Sequence, residues 1–260
     1  MLAQLAQLAG ASVDQVVLTL NQAEPELADA LEADGQARPW PFELLVHQNL
    51  NSQGFGANHN QAFRQYALPR WRDLGLSLDA GRFAVVNPDV GLLGDPFPPL
   101  LAALARLPKL GCSYPLQVDA NGKVQDSERL LPTPASIVQR VRWHVRKSSR
   151  GADELPPGVP AKGQAHDWVN ATFWSVRAQA WRDIDGFDPH YFMYGEDVDW
   201  CLRLQLAGWR MQAVPQVQVV HEGQHGSHRK LQHTLWHLKS LWQLWQSKAY
   251  ADFRRKSQHK

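Results

Sequence analysis

With only two cysteines, Cys112 and Cys201, the 260-residue chain lacks the raw material for a disulfide framework or a thiolate zinc site. Such sparing use of cysteine fits a reducing, intracellular setting. Long apolar runs are missing too, since none approaches the ~20 residues that a membrane-spanning helix needs. The start, MLAQLAQLAGA, is apolar but has no basic residue ahead of it, which argues against a secretory signal. No charge of one sign dominates: 27 Lys and Arg face 25 Asp and Glu, a net +2. The whole chain therefore does not read as a nucleic-acid binder, and no nucleic-acid partner is expected. Disorder is excluded by 44% hydrophobic against 20% charged residues, a globular balance sufficient for one large or two small domains. Tryptophan is abundant: 11 residues, eight of them from Trp168 onward.

Short apolar runs alternate with helical patterns in the first half. Gln15 to Leu20, Phe42 to Val46 and Phe83 to Val86 read as buried parallel strands. Helical stretches are expected near Leu27 to Ala33, Asn58 to Tyr66 and Pro98 to Arg106. This alternation describes an α/β nucleotide-binding half. Further on, Leu131 to Arg150 carries five basic residues and no acid, then passes into a Pro/Gly-rich loop. Asp167 to Arg177 reads as a strand and Val198 to Leu206 as a helix, with Gly208 at its C-terminal cap. Arg210 to Val214 and Val217 to Val220 read as extended segments, and 231–260 as a last helical region.

Four local features could carry chemistry. Asn87-Pro88-Asp89 follows a buried strand, where α/β sheets bind ligands, and its carboxylate suits Mg²⁺ or Mn²⁺ on a diphosphate. The same three residues also make an ordinary turn. Glu196 and Asp197 open the helix after an aromatic stretch; acids there stabilise a helix N-terminus, and one is equally placed to take a proton from a hydroxyl. His221 ends a strand, a common structural position, yet a neutral imidazole can complete a Mg²⁺ or Mn²⁺ shell. Asn51 to Asn60 is a Gly/Asn-rich loop, with Asn51, Gly54 and Asn58, that allows close backbone approach to phosphate or ribose, though it is not a dinucleotide fingerprint.

Six blocks, VVLTLN, NSQGFGANHNQAF, FAVVNPDV, HDWVNATFWSVR, GFDPHYFMYGEDVDWCLRLQLAGWR and VVHEGQHGS, occur in the order found in family 2 glycosyltransferases. The chain most resembles their rhamnosyltransferase-like branch, across nearly all of residues 13–228. The resemblance implies a GT-A fold: a Rossmann-like nucleotide-binding half fused to an acceptor-binding half around a continuous, mixed central sheet. It implies inverting transfer from a nucleotide-diphosphate sugar to a glycan or lipid-linked acceptor. Asp197 would be the base, with Glu196 beside it. Asp89 and His221 would hold the metal, Mg²⁺ or Mn²⁺. Thr19, Asn21, Asn51, Gly54, Asn58, Asn87 and Asp89 would meet the nucleotide sugar, and Trp168 the sugar pocket. One departure stands out. The family's second strand usually ends in an Asp-Asn-x-Ser segment, which does not appear here. Either a strand–loop unit is missing, or the Phe42 to Asn49 stretch does its work with His47 in the Asp position. A non-catalytic sugar-nucleotide or glycan-binding relative is the alternative this raises.

Residues 229–260 form an amphipathic, basic and aromatic extension to the 13–228 domain. Leu231, Leu235, Leu238, Leu241, Trp242 and Trp245 fall at helical spacing, with Arg254, Arg255, Lys256 and Lys260 beyond. Such a helix either packs on the domain or touches an anionic membrane surface. A cytoplasmic enzyme, peripheral on the inner face of the membrane, is the expectation.

Overall fold

The computed structural model describes residues 1–37, 39–145, 156–161, 164–221 and 230–258. The first element, α1 (Leu2–Ala9), buries Leu5 and Ala9 against the core. β1 (Gln15–Leu20) and β2 (Glu43–Gln48) pair in parallel, Thr19 opposite His47, with α2 (Pro25–Ala37) between them in sequence. α3 (Phe55–Ala62) runs through a π-helical turn, Phe63–Ala67, into α4 (Leu68–Asp73).

β3 (Arg82–Val86), β4 (Val90–Leu92), β5 (Leu110–Val118), β8 (Phe173–Arg177) and β9 (Arg210–His221) form a five-stranded sheet in the order β3-β8-β5-β9-β4. Only β5 and β9 are parallel neighbours; every other pairing in this sheet is antiparallel. β6 (Glu128–Arg129) and β7 (Trp168–Val169) make a small ribbon. Of the helices, α5 (Phe97–Arg106) precedes β5, α6 (Pro134–Val145) follows β6, and α7 (Ala178–Asp183) and α8 (Glu196–Leu206) follow β8. α9 (Lys230–Gln246) and α10 (Lys248–Gln258) complete the described chain.

The mixed sheet with helices is an α/β fold, as the motif blocks imply, with three departures from the reading strand by strand. The sheet is not continuous in hydrogen bonds, because β1 and β2 stand as a separate pair. They still extend the same layer, since Val16 packs into the core on one side and Val17 into the core on the other. β3 is antiparallel to its partner, not parallel, so it closes an edge. Asp167 to Arg177 is two strands separated by a turn, whereas the two extended segments around Pro215 form one strand, β9, with a register shift opposite Pro115 and Leu116.

Two apolar cores flank the sheet. Phe83 and Val85 face one of them, Ala84 and Val86 the other, as a period of two dictates. The first core is aromatic: Trp174, Trp181 and Trp200 are each at most 2% exposed, and Trp174 lies 4.5 Å from Trp200. Asn60 bolts α3 to this core: its amide donates to the Phe187 carbonyl at 2.7 Å and accepts from the Phe187 N–H at 2.9 Å. Gly186 beside it is left-handed (φ +70°), and a Cβ there would lie 2.1 Å from Asn60 Oδ1.

Candidate active site

At the C-terminal ends of β1 and β2 a group of amides closes on itself. Asn21 Oδ1 accepts from Asn49 Nδ2 and Asn58 Nδ2, both at 3.0 Å, and from the Gln53 N–H at 2.9 Å. Asn49 also donates to Asn58 Oδ1 at 2.8 Å. His47 joins through Asn49 at 3.2 Å and is held by the Tyr66 hydroxyl at 2.8 Å. β2 pairs in parallel with β1 and carries His47 near its end, opposite Thr19. Asn49, 3% exposed, is a residue that motif reading passed over. Thr19 is half-buried beside this group, and Asn51 is exposed on the loop. Gly54 has a different occupation: a Cβ would lie 2.5 Å from the Tyr191 carbonyl, so its bareness lets the loop press on the 191–192 backbone. The Phe55 N–H then donates to the Phe192 carbonyl at 3.0 Å.

β3 and β4 flank Asn87-Pro88-Asp89. The Asn87 N–H donates to the Thr172 carbonyl at 2.9 Å, which sets the turn beside the 170–172 loop. Val90 pairs with His221 across β4 and β9, and this register brings His221 Nε2 to 3.7 Å from Asp89 Oδ1. That oxygen is buried and accepts no hydrogen bond, an expensive condition for a carboxylate with nothing bound to it. Imidazole and carboxylate at this separation make a donor pair suited to Mg²⁺ or Mn²⁺, with room for oxygen ligands from elsewhere. Glu222 and Gly223, which follow His221, lie outside the described residues.

The third component is the start of α8. Tyr194 (φ +70°) and Gly195 (φ +78°) are both left-handed, and this double turn delivers Glu196 and Asp197 into the first turn of the helix. For tyrosine such a backbone is uncommon and is sustained by its contacts. Asp197 Oδ1 accepts from the Val198 N–H at 2.8 Å and also draws on the Ala171 N–H. Asp197 therefore faces the same 170–172 loop that positions Asn87. Burial raises the carboxyls of both Glu196 and Asp197 above the ordinary carboxylate range. Glu196 is raised further, because the Asp197 charge adds to its burial while backbone N–H groups pull Asp197 down. Glu196 Oε2 is buried with no hydrogen-bond partner. Asp199, one turn on, is otherwise engaged: it pairs with Arg203 at 2.6 Å, whose guanidinium also donates to the Gly186 carbonyl.

Trp168 sits half-buried between two apolar clusters and donates its indole N–H to the Leu130 carbonyl at 2.9 Å, so it braces the wall next to the loop. Gln117 and Asn170 join their amides across the end of β5. Tyr114 donates to Glu128 at 2.7 Å and meets His166 Nε2 at 2.9 Å. The run LGCSYPLQV offers no apolar periodicity, which is why these groups escape sequence reading.

The C-terminal helices pack on the stretch that leads into α8. Leu244, Ala249, Tyr250 and Phe253 share an apolar cluster with Tyr191, Val198 and Leu202. Ser240 donates to the Met193 carbonyl at 2.8 Å, and the Tyr194 hydroxyl meets His233 Nδ1 at 2.8 Å. The single helical region splits at Ser247. Its apolar residues divide between faces: Leu241 and Leu244 point inward, whereas Leu235, Leu238 and Trp242 are 58–65% exposed. The side chain of Leu231 lies outside the described residues.

The fold defined by this sheet is that of the GT-A glycosyltransferases. It superposes on GalNAc-T7 solved with UDP, GalNAc and Mn²⁺ (TM-score 0.52, 15% identity, 95% of this chain and 45% of that one). It also superposes on Staphylococcus aureus TarS (TM-score 0.53, 14% identity, 85% and 33%). At such identities the likeness is one of fold. By sequence the chain is similar to rhamnosyltransferase-like glycosyltransferases. A family model described as "Glycosyltransferase (GlcNAc)" matches residues 136–258. The N-acetylglucosaminyl-diphospho-decaprenol L-rhamnosyltransferase of Mycobacterium tuberculosis is 32% identical over 157 residues, covering 56% of this chain and 48% of that protein. Rhamnosyltransferase WbbL of Escherichia coli K12 is 43% identical over 75 residues, 28% of each chain. The matched regions thus span about half and about a quarter of these relatives.

Proposed function

We propose that the chain is an inverting glycosyltransferase that moves a sugar, rhamnose by analogy with its relatives, from a nucleotide-diphosphate donor to a hydroxyl of a lipid-linked surface glycan. The observation that carries the reading is the 170–172 loop, which accepts the Asn87 N–H at Thr172 and gives its Ala171 N–H to Asp197, while Asp89, two residues on from Asn87, lies 3.7 Å from His221. In a single displacement the acceptor oxygen attacks the anomeric carbon, the bond to the diphosphate breaks, and Asp197 takes the hydroxyl proton. Glu196 stays protonated beside it, which keeps a second negative charge away from the incoming oxygen. Asp89 and His221 would hold the divalent cation, Mg²⁺ or Mn²⁺, which supplies charge neutralisation to the leaving diphosphate when bound. Asn87 and the amide group around Asn21 would line the nucleotide side, with Thr19, Asn51, Gly54 and Asn58 on the same loop system. Trp168 would back the sugar pocket.

The acceptor class is carried over from the diphospho-decaprenol in the name of the Mycobacterium tuberculosis relative. It agrees with a cytoplasmic protein held peripherally on an anionic leaflet. Neither α6 nor α9 contains an acid, and both expose apolar residues: Val138 and Val141 on one, Leu235, Leu238 and Trp242 on the other. Among the described residues no helix is long and apolar enough to cross a membrane.

A screen of nucleotide sugars with Mg²⁺ or Mn²⁺, reading release of the nucleoside diphosphate, tests the activity. One donor should be turned over, and turnover should stop with a chelator. Donor binding without turnover, with or without an acceptor extract, would leave the non-catalytic relative as the answer. Sedimentation with phosphatidylcholine/phosphatidylglycerol vesicles, lost on raising salt, tests the membrane contact.

A further inference from the structure

A cleft of about 240 Å³ lies between the 190–193 loop and α9, lined by His190, Phe192, Met193, Trp236, Lys239 and Gln243. Its walls are aromatic, with the Phe192 and Trp236 rings 5.1 Å apart. His190 is bonded to Asp188 at 2.7 Å, so that pair brings no net positive charge. Lys239 is the cation that counts, and among the described residues it makes no ion pair. On α9 it is flanked one turn either way by Leu235 and Trp242, with Leu238, the third outward apolar residue, adjacent. An anion held at Lys239 would therefore have its apolar remainder laid along an exposed apolar stripe.

The place of the cleft matters as much as its chemistry. Met193 precedes Glu196 by three residues, so their Cα atoms lie within ~11 Å of each other. The Ser240 hydrogen bond to the Met193 carbonyl fixes α9 against that stretch. A ligand seated here stands beside the catalytic pair, on the face of the molecule that carries the acid-free helices.

We propose that this cleft receives the diphosphate of a polyprenyl-linked acceptor, its lipid running along Leu235, Leu238 and Trp242 and its sugar directed toward Glu196 and Asp197. This rests on the lipid-linked acceptor read above. It goes further by assigning recognition of the lipid diphosphate to Lys239 and the aromatic pair, separate from the donor diphosphate at Asp89 and His221.

Farnesyl diphosphate is the probe, titrated into the full chain with EDTA present, so that no metal-held diphosphate site can capture it. Saturable binding is expected, read by calorimetry and by tryptophan fluorescence. Lys239→Glu and Lys239→Gln should each weaken it by about tenfold or more, as loss of a charge partner does. Farnesol and inorganic diphosphate should each bind about tenfold more weakly than the intact probe. Binding of a nucleoside diphosphate with Mn²⁺ should be the same in wild type and Lys239→Glu. No binding of farnesyl diphosphate by wild type, or equal binding by the Lys239 variants, would overturn the assignment. So would farnesyl diphosphate no better held than phosphatidylglycerol at the same mole fraction in vesicles, which would make the cleft a general headgroup site. If no nucleotide sugar is turned over while the farnesyl diphosphate result holds, the transferase reading fails and the cleft stands.

Discussion

At the ends of β1 and β2, Asn21, Asn49, Asn58 and Gln53 hydrogen-bond one another, so the group would line the nucleotide side as a pre-shaped wall. Where β4 begins, β9 ends and α8 starts, Asp89 Oδ1 and Glu196 Oε2 are buried with no hydrogen-bond partner. Both regions are polar, and both lie where an α/β sheet binds ligands. The first has spent its hydrogen-bonding capacity on its own architecture and so shapes a loop. The second keeps costly, unspent acceptors, which is what the proposed cation and proton roles require and a brace does not.

The largest effect expected from this contrast is at Asp197. Asp197→Asn should lower single-turnover transfer by roughly 10²–10⁴ while leaving the melting temperature and nucleotide binding nearly unchanged. Glu196→Gln should cost the chemical step much less. An active but destabilised Asp197→Asn would exchange the two roles.

Next is Asp89. Asp89→Ala should abolish the gain in nucleoside-diphosphate affinity that Mn²⁺ brings, measured by calorimetry with and without the metal. Unchanged metal dependence would remove Asp89 from the donor side. His221→Ala should reduce the same gain by a smaller factor.

The amide group should behave in the opposite way. Asn49→Ala empties a buried position and leaves the half-buried amides of Asn21 and Asn58 short of a partner, which should cost about 1–3 kcal/mol in stability. Denaturant unfolding reads it. A normal stability with lost nucleotide binding would turn the brace into a ligand site.

The smallest expected effect is a pH dependence. Because burial raises the Glu196 carboxyl, the folded state holds its proton at a pH where the unfolded chain has lost it. Stability therefore falls as pH rises from the ordinary carboxylate range toward the raised value. Glu196→Gln removes that cost, so it should melt higher than wild type at neutral pH by a few degrees, ~2–4 °C for each kcal/mol recovered. The advantage should vanish near pH 4, and thermal melts across pH 4 to 8 check it.

What the sequence disclosed follows from how local each signal is. β1, β2, β3, α5 and α8 are legible because an apolar run or a fourfold spacing is complete within a few residues. The acids of α8 and the Asp89 turn are legible because their motif blocks are contiguous. β5, a central and almost wholly buried strand, is not: Gly111, Ser113 and Pro115 interrupt its pattern, and its burial comes from cores on both of its faces. The antiparallel sense of β3 is a property of β8, about ninety residues later. Asn49 and Asn60 are ordinary asparagines in sequence and acquire meaning only from partners 28 and 127 positions away. The amphipathic reading of α9 merged two faces, because heptad-like spacing does not reveal which leucines find a neighbour.

The left-handed Tyr194 and Gly195 also place the chain's competence in time. The groups that hold this turn, His233 and Ser240, follow it by 39 and 47 residues. At synthesis rates of about 5–20 residues per second, the turn waits on the order of 2–10 s for its supports after it is made. Through that interval a nascent chain has the sheet and the acids of α8 but lacks both of these hydrogen bonds, which form only when α9 arrives.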